Sequence, residues 1–383
     1  MSNDRITRLL NNLRPWDSES LYYDSDTYFK DLIAELDQAK QTIEIESYIF
    51  SQDDLGKRVI RSLLNAAKRD INVRIIIDGL GSKEWQLAQV FQLTSAGIKV
   101  KIYHPLPWHL SFYQEVKIVK GFFYKFLYLF SRINKRDHRK LYIIDKNAAW
   151  TGSLNLSSSH ICDDSKNDNW FDCGVKVTGK PVTDLSYTFD EIWRGISLHT
   201  LGNKRLPFRT NNNVVKRQRK NLELIRLIRS SKKRIWIISP YLVPSKRIVK
   251  ALSQARQRGV GVKLLVSKRS DVIVFPLVST SYYHSLLSSN VEIFEYDGRI
   301  IHAKTMMLDE ILIVGSSNLN HRSFLHDLEL DIILNQPSSL QNSAKKFEQL
   351  VDLSSQMTLE KLAKLPWYKH LLGKIIWRLR YWL

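Results

Sequence analysis

Two stretches of the chain repeat the same pattern of apolar and polar positions. Residues 38–79 read QAKQTIEIESYIFSQDDLGKRVIRSLLNAAKRDINVRIIIDG, and residues 230–267 read SSKKRIWIISPYLVPSKRIVKALSQARQRGVGVKLLVS. Each passes from a basic helix end into a β-rich run, Thr42–Ser47 or Arg234–Ser239, and then through Tyr48 or Tyr241 into an amphipathic helix. A second β-rich run follows, Val73–Ile77 or Val262–Val266, and a third strand is expected at Ile98–Tyr103 and at Val291–Tyr296. Alternating strand and helix periods predict an α/β fold of two repeated domains, each a mainly parallel sheet flanked by helices on both faces.

The repeats stay in register except at one place. Tyr48 precedes His138 by 90 residues and Tyr241 precedes His302 by 61, whereas Tyr103 precedes His138 by 35 and Tyr296 precedes His302 by 6. Both differences are 29, so one net insertion lies just before His138, at about residues 105–134. The polar, basic, Asn-rich stretch near residues 200–215 reads as a linker from its turn residues, with a basic phosphate-facing strand as the alternative. The division that follows is 1–205 for the first domain, 206–365 for the second and 366–383 for a basic tail.

Composition narrows the class. The 383 residues are 44% hydrophobic and 25% charged, an ordinary globular mixture. A formal charge of +20 favours an anionic partner, either nucleic acid or an acidic lipid surface. Two cysteines, Cys162 and Cys173, are too few for a disulfide framework and lack metal-type spacing, so they are expected as buried thiols. No run of about 18 uncharged apolar residues occurs, so contact with a membrane is expected at its surface.

Chemistry concentrates in a motif that occurs twice. His138-Arg139-Lys140 runs to Asp145 and is followed by Gly152-Ser153-Leu154-Asn155; His302-Ala303-Lys304 runs to Asp309 and is followed by Gly315-Ser316-Ser317-Asn318. On a strand, His and Lys two apart share a face, while Leu141, Ile143, Met306 and Leu308 alternate into a core. Lysine supplies positive charge for a phosphate, and histidine can serve as nucleophile or proton carrier near neutral pH. Ser153, Asn155, Ser316 and Asn318 offer hydroxyl and amide donors to phosphate oxygens. One H-x-K-x4-D match arises by chance in roughly a few per cent of chains this long. Two copies in repeat register, each with the same downstream element, do not read as coincidence.

These paired motifs resemble the HKD signature of the phospholipase D superfamily, over residues from about Leu21 to about Leu350. IESYIF (45–50), IIDGLGS (76–82), HRKLYIID (138–145), PYLVP (240–244), FEYDGRIIHAK (294–304) and GSSNLNHRSFLHDLEL (315–330) carry the likeness. Within the superfamily the chain looks most like the bacterial cardiolipin synthases, in particular those that start without transmembrane helices.

The resemblance implies chemistry without metal or other cofactor, at one site shared by the halves. One motif histidine attacks the lipid phosphorus, and the other protonates the leaving alcohol and deprotonates the incoming one. Lys140, Lys304, Asn155 and Asn318 hold the phosphate. Usage in two-repeat members points to His138 as nucleophile. A carboxylate behind each histidine is carried over to Asp172, in NWFDCGVKV, and Glu329, in HDLEL. Asp145 and Asp309 belong to the catalytic motif, but a carboxylate on phosphate would be repulsive, so strand-end hydrogen bonding is expected of them. The other eight histidines, His160 among them, read as surface or satisfied core, though His321 and His326 fall close enough to Glu329 in sequence to line the site.

The insertion is dense in aromatic residues and carries Lys117, Lys120, Lys125 and Arg132. In the tail, Trp367, Leu371, Ile375, Leu379 and Trp382 recur at helical spacing beside His370, Lys374 and Arg378. Both are expected to meet an anionic phospholipid membrane, peripherally, at the cytoplasmic face of the bacterial inner membrane. The expected activity is phosphatidyl transfer from phosphatidylglycerol to an alcohol-bearing acceptor. The alternatives are hydrolysis to phosphatidic acid and, further off, cleavage of nucleic acid, which is not an expected partner. A non-catalytic membrane scaffold would carry a broken motif, and neither copy is broken. Oligomeric state is left open.

Overall fold

The computed structural model describes residues 13–85, 87–105, 135–161, 170–196, 206–272 and 274–378. The insertion expected at about 105–134 therefore lies outside the described residues, as do the last five residues of the tail. The first sheet has the strand order Ser18–Tyr22, Gly174–Thr178, Ala148–Gly152, Lys140–Ile144, Thr42–Ser47, Asn72–Asp78, Lys99–Tyr103. The second repeats it with Phe208–Thr210, Leu330–Leu334, Ile311–Gly315, Thr305–Leu308, Arg234–Ile238, Gly261–Ser267 and Glu292–Tyr296, and adds Ser354–Met357 at the far edge. The repeat read from the sequence is thus a repeat of topology, strand for strand.

Parallel pairing is confined to three strands in each sheet, Asn72–Asp78 with its two neighbours and Gly261–Ser267 with its neighbours Arg234–Ile238 and Glu292–Tyr296. The remaining pairs are antiparallel, including both motif strands. The expectation of a mainly parallel sheet therefore holds only for the βαβ core. Each motif strand turns directly into the next, and so short a connection permits only antiparallel pairing. The expected linker is also shorter than read. Phe208–Thr210 is an edge strand of the second sheet, and Val214–Ser230 is a helix whose first turn is capped by Asn213, its side chain accepting from Lys216 N at 2.8 Å. An asparagine before a basic amphipathic run is as good a helix start as a turn.

The helices follow their patterns. Asp54–Lys68 is capped by Asp53 and buries Leu55, Val59, Leu63 and Ala66; Lys246–Gln257 is capped by Ser245 and buries Ile248, Ala251, Leu252 and Ala255. These faces cover the outer side of each sheet. The inner sides face each other: Leu141, Ile143 and Val175 pack in one core with Met307, Val314 and Ile332. Leu141 and Ile143 thus turn to the other half, while Met306 and Leu308 turn to their own helices. Burying one such side chain is worth about 1.5–3 kcal/mol. Exposing this shared core would cost more than the about 5–15 kcal/mol that holds a typical domain folded, so the halves form one body.

Candidate active site

The site is assembled where the two halves exchange short parallel contacts. His138 N donates to Leu328 O at 3.0 Å, and Leu328 N donates to Arg136 O at 2.8 Å. In the mirror position Ile300–Ile301 pairs with Trp170–Phe171, and His302 N donates to Phe171 O at 2.8 Å. Glu329 follows Leu328 and Asp172 follows Phe171, so each histidine is delivered to the other half's carboxylate. His138 Nδ1 donates to Glu329 Oε2 at 3.2 Å, and His302 Nδ1 donates to Asp172 Oδ1 at 2.8 Å. Committing Nδ1 in this way sets the tautomer and leaves Nε2 as the nitrogen available for chemistry.

Between the histidines sit two buried lysines. Lys140 Nζ donates to His138 O at 2.8 Å and Lys304 Nζ to His302 O at 2.6 Å. Burial, and in part Lys304, pushes Lys140 down to about 7; burial pushes Lys304 down to about 8. Burial followed by the charges of Lys140 and Lys304 holds His138 well below its ordinary range, and burial followed by Lys304 takes His302 to about 3. So much positive charge in a dry site favours an anion there, which would restore the charged forms. The carboxylates differ. Burial raises Glu329 to about 7, whereas His160 and His302 overcome burial and hold Asp172 well below the carboxylate range.

The G-S-x-N turns hold the carboxylates. A Cβ on Gly152 would meet Cys173 O at 2.3 Å, and one on Gly315 would meet Leu330 O at 2.2 Å, so glycine lets each turn lie against the carboxylate-bearing segment. This corrects the expectation for the serines. Ser153 Oγ donates to Asp172 Oδ1 at 2.6 Å, and Ser316 Oγ donates to Glu329 Oε2. Their single protons are committed to the carboxylates rather than to a phosphate. Asn155 and Asn318 are buried, and among the described residues Oδ1 of each finds no hydrogen-bond partner. Amides so oriented remain suited to a bound group.

Asp145 and Asp309 stand apart from this cluster, at the far ends of the motif strands, roughly 20 Å of strand from the histidines. Asp145 accepts from the main-chain N–H groups of Lys40, Gln41 and Thr42 at 2.7–2.9 Å. Asp309 accepts from those of Lys232, Lys233 and Arg234 at 2.9–3.0 Å. Though members of the catalytic motif by sequence, both organise the entry into the first core strand.

His160, read from sequence as surface or satisfied core, belongs to the site. Its Nδ1 lies 2.6 Å from Asp172 Oδ2, and its ring lies 5.5 Å from that of His302. Its spacing from Asn155 matches that of Ser323 from Asn318, but the change of residue type conceals the correspondence. His160, Asp172 and His302 each offer a ligand atom within 4.8 Å of one another, which is spacing for a metal. Both imidazoles, however, spend Nδ1 on the carboxylate, and Lys304 sets a positive charge beside them. The set is built as a hydrogen-bonded ladder.

Residues 32–193 and 224–351 match the family model described as cardiolipin synthase, PLD-like domain. The chain belongs to this phospholipase D-like family. A cardiolipin synthase of Clostridium perfringens (strain SM101 / Type A) is 29% identical over 90% of this chain and 72% of its own length. One of Listeria monocytogenes serotype 4b (strain CLIP80459) is 30% identical over 90% of this chain and 71% of its own. The crystal structure of a phosphatidylserine synthase from Haemophilus influenzae Rd KW20 shares the fold, with a TM-score of 0.67 at 14% identity over 98% of this chain and 99% of that one. The family and the intact paired motifs make the chain a phosphatidyltransferase-type enzyme of the phospholipase D superfamily.

Proposed function

We propose that the enzyme transfers a phosphatidyl group from phosphatidylglycerol to the hydroxyl of an acceptor lipid, a second phosphatidylglycerol giving cardiolipin and glycerol, through a phosphohistidine on His138. The observation that carries the reading is the crossed pairing of His138 with Glu329 and His302 with Asp172 around Lys140 and Lys304. His138 Nε2 forms a bond to phosphorus while the bond from phosphorus to the glycerol oxygen breaks, and His302 gives that oxygen its proton. The acceptor hydroxyl then loses its proton to His302, its oxygen bonds to phosphorus, and the bond to His138 breaks. Lysine charge and the Asn155 and Asn318 amides hold the phosphate through both steps. Asp172, which takes hydrogen bonds from Ser153 and His160 as well as from His302, supports His302 as the proton carrier once an anionic substrate is bound, and His138 is taken as the nucleophile.

The reading includes peripheral attachment to an anionic membrane, at the cytoplasmic face of the bacterial inner membrane. Among the described residues no helix is long and apolar enough to cross a membrane. Trp367, Tyr368, Leu372 and Ile375 stand exposed on the tail helix Trp367–Arg378 of a chain with formal charge +20. The test is incubation with phosphatidylglycerol vesicles without divalent metal, comparing wild type, His138→Ala and His302→Ala by lipid chromatography. Cardiolipin and glycerol from the wild type alone are expected. Phosphatidic acid in their place would make the enzyme a hydrolase. Vesicle binding without any lipid product would sink the lipid reading and turn attention to other phosphodiesters, nucleic acid included.

A further inference from the structure

His160 closes a single 3-10 turn, Ser158–His160, and its side chain is 1% exposed. The turn is clamped: Asp53, the cap of helix Asp54–Lys68, accepts from Ser158 N at 2.6 Å and from Ser157 Oγ at 3.2 Å. The ring is therefore held by the scaffold, and Trp170 packs edge-on against it at 4.8 Å. Its two nitrogens face different partners. Nδ1 donates to Asp172 Oδ2 at 2.6 Å, and Nε2 lies 3.2 Å from Asn155 Nδ2.

The second half solves the same problem with a smaller group. Ser323 Oγ donates to Glu329 Oε1 at 2.6 Å and accepts from Asn318 N at 3.1 Å. Each residue thus ties the second oxygen of its carboxylate to the asparagine of its own G-S-x-N turn, five residues earlier. A hydroxyl reaches only the main chain of Asn318. The imidazole, with nitrogens on two sides of the ring, reaches the side-chain amide of Asn155: with Nδ1–H on Asp172, Nε2 accepts from Asn155 Nδ2 and pins the plane of the amide.

We propose that His160 is a positioning residue that joins the two functions of the first-half site, fixing the Asp172 carboxylate behind His302 and the Asn155 amide that meets the phosphate. The proposal rests on the catalytic reading above and extends it to a residue outside the repeated motif. With Ser153 and His302 on Oδ1 and His160 on Oδ2, Asp172 has three donors, so that the His302 ring cannot turn without breaking a buried, charge-assisted bond. The two halves then differ in kind: the contact from His160 couples acid–base geometry to phosphate binding, whereas Ser323 supports its carboxylate without touching the side-chain amide of Asn318.

His160→Ala and His160→Asn separate the two contacts, because an asparagine amide can stand where Nδ1 stands but is too short for Asn155. Turnover of phosphatidylglycerol vesicles gives kcat and KM, calorimetric titration with inorganic phosphate gives binding, and thermal melts establish folding. The alanine variant is expected to lose about tenfold to a hundredfold in kcat, the range seen when partners that orient a working histidine are removed, and to bind phosphate more weakly. The asparagine variant is expected to recover most of kcat while KM and phosphate affinity stay at the alanine level. Should the alanine variant not fold, the asparagine variant still carries the test against wild type. Wild-type constants in the alanine variant, or equal losses of kcat in both variants, would overturn the proposal. A wild type inactive on every diester would sink the catalytic reading instead. Phosphate titration then still decides the Asn155 contact, weaker binding in both variants supporting it and unchanged binding refuting it.

Discussion

Glu329 lies 191 residues beyond His138 and accepts the hydrogen bond from its Nδ1 at 3.2 Å. The partner of each motif histidine is thus supplied by the opposite half, and neither half alone holds a supported motif histidine. In Glu329→Gln the amide can present the wrong group to Nδ1 and favour the wrong tautomer. A loss of about 10³-fold or more in kcat is expected, with melting temperature and vesicle binding little changed, by analogy with the about 10⁴-fold effect of such a change in a catalytic triad. Asp172→Asn should act in the same direction on His302. Initial-rate measurements check both, and a loss of under about tenfold would show that the imidazoles find their orientation without these carboxylates.

The motif aspartates should behave in the opposite way. Asp145 and Asp309 both have positive φ, 51° and 53°, and each accepts three main-chain hydrogen bonds. Asn tolerates the left-handed conformation and Ala does not. Asp145→Ala should therefore destabilise the fold by about 2–4 kcal/mol, given the worth of charge-assisted hydrogen bonds, and Asp145→Asn by less. In both, kcat of the folded fraction should stay within about twofold. Denaturant unfolding beside initial rates checks this, and a stable but inactive Asp145→Asn would return the residue to the chemistry.

Sequence reading reached those features that repeat in register. The strand positions Thr42–Ser47 and Asn72–Asp78 were legible because alternation and helix period are local. The carboxylates Asp172 and Glu329 came through resemblance. Their crossing between halves was not legible, because it depends on the ladders at Leu328 and Phe171, and pairings this distant leave no periodic trace. The roles of Ser153 and Ser316 were misjudged for a related reason: a hydroxyl near phosphate-type residues fits either job, and only the approach of Gly152 and Gly315 to the carboxylate-bearing segments decides. His160 escaped notice because its counterpart is a serine.

Anion binding should take up protons. In the unliganded site Lys140 sits at about 7 and Lys304 at about 8. At pH 8 Lys140 is mostly neutral and Lys304 about half charged; a bound phosphodiester favours the charged forms and raises both values. Dimethyl phosphate, whose own charge is constant in this range, should bind with uptake of about one proton at pH 8, and its affinity should fall between pH 7 and pH 9. Titration calorimetry in buffers of different ionisation heat measures the uptake. A flat affinity with no uptake would mean that the lysines are already charged in the empty site.

The tail helix packs closely along its neighbour, and a glycine marks the tightest approach. A Cβ on Gly373 would meet Leu277 O at 2.6 Å, so the helix Trp367–Arg378 lies tightly along Val274–Leu287, with Ile376 and Trp377 against the core. That docking leaves Trp367 74% exposed and Ile375 51% exposed, with Tyr368 and Leu372 beside them. Water is a poor setting for so much apolar surface, and a bilayer interface is a good one. Embedding one large apolar side chain is worth about 1.5–3 kcal/mol. Trp367→Ala combined with Ile375→Ser should therefore weaken sedimentation with anionic vesicles by about tenfold or more, while turnover of a soluble diester stays within about twofold. Raising the salt should weaken the binding that remains, since the contribution of basic residues is screened. Unchanged sedimentation of the double variant would show that this face does not meet lipid and that attachment lies elsewhere on the basic surface.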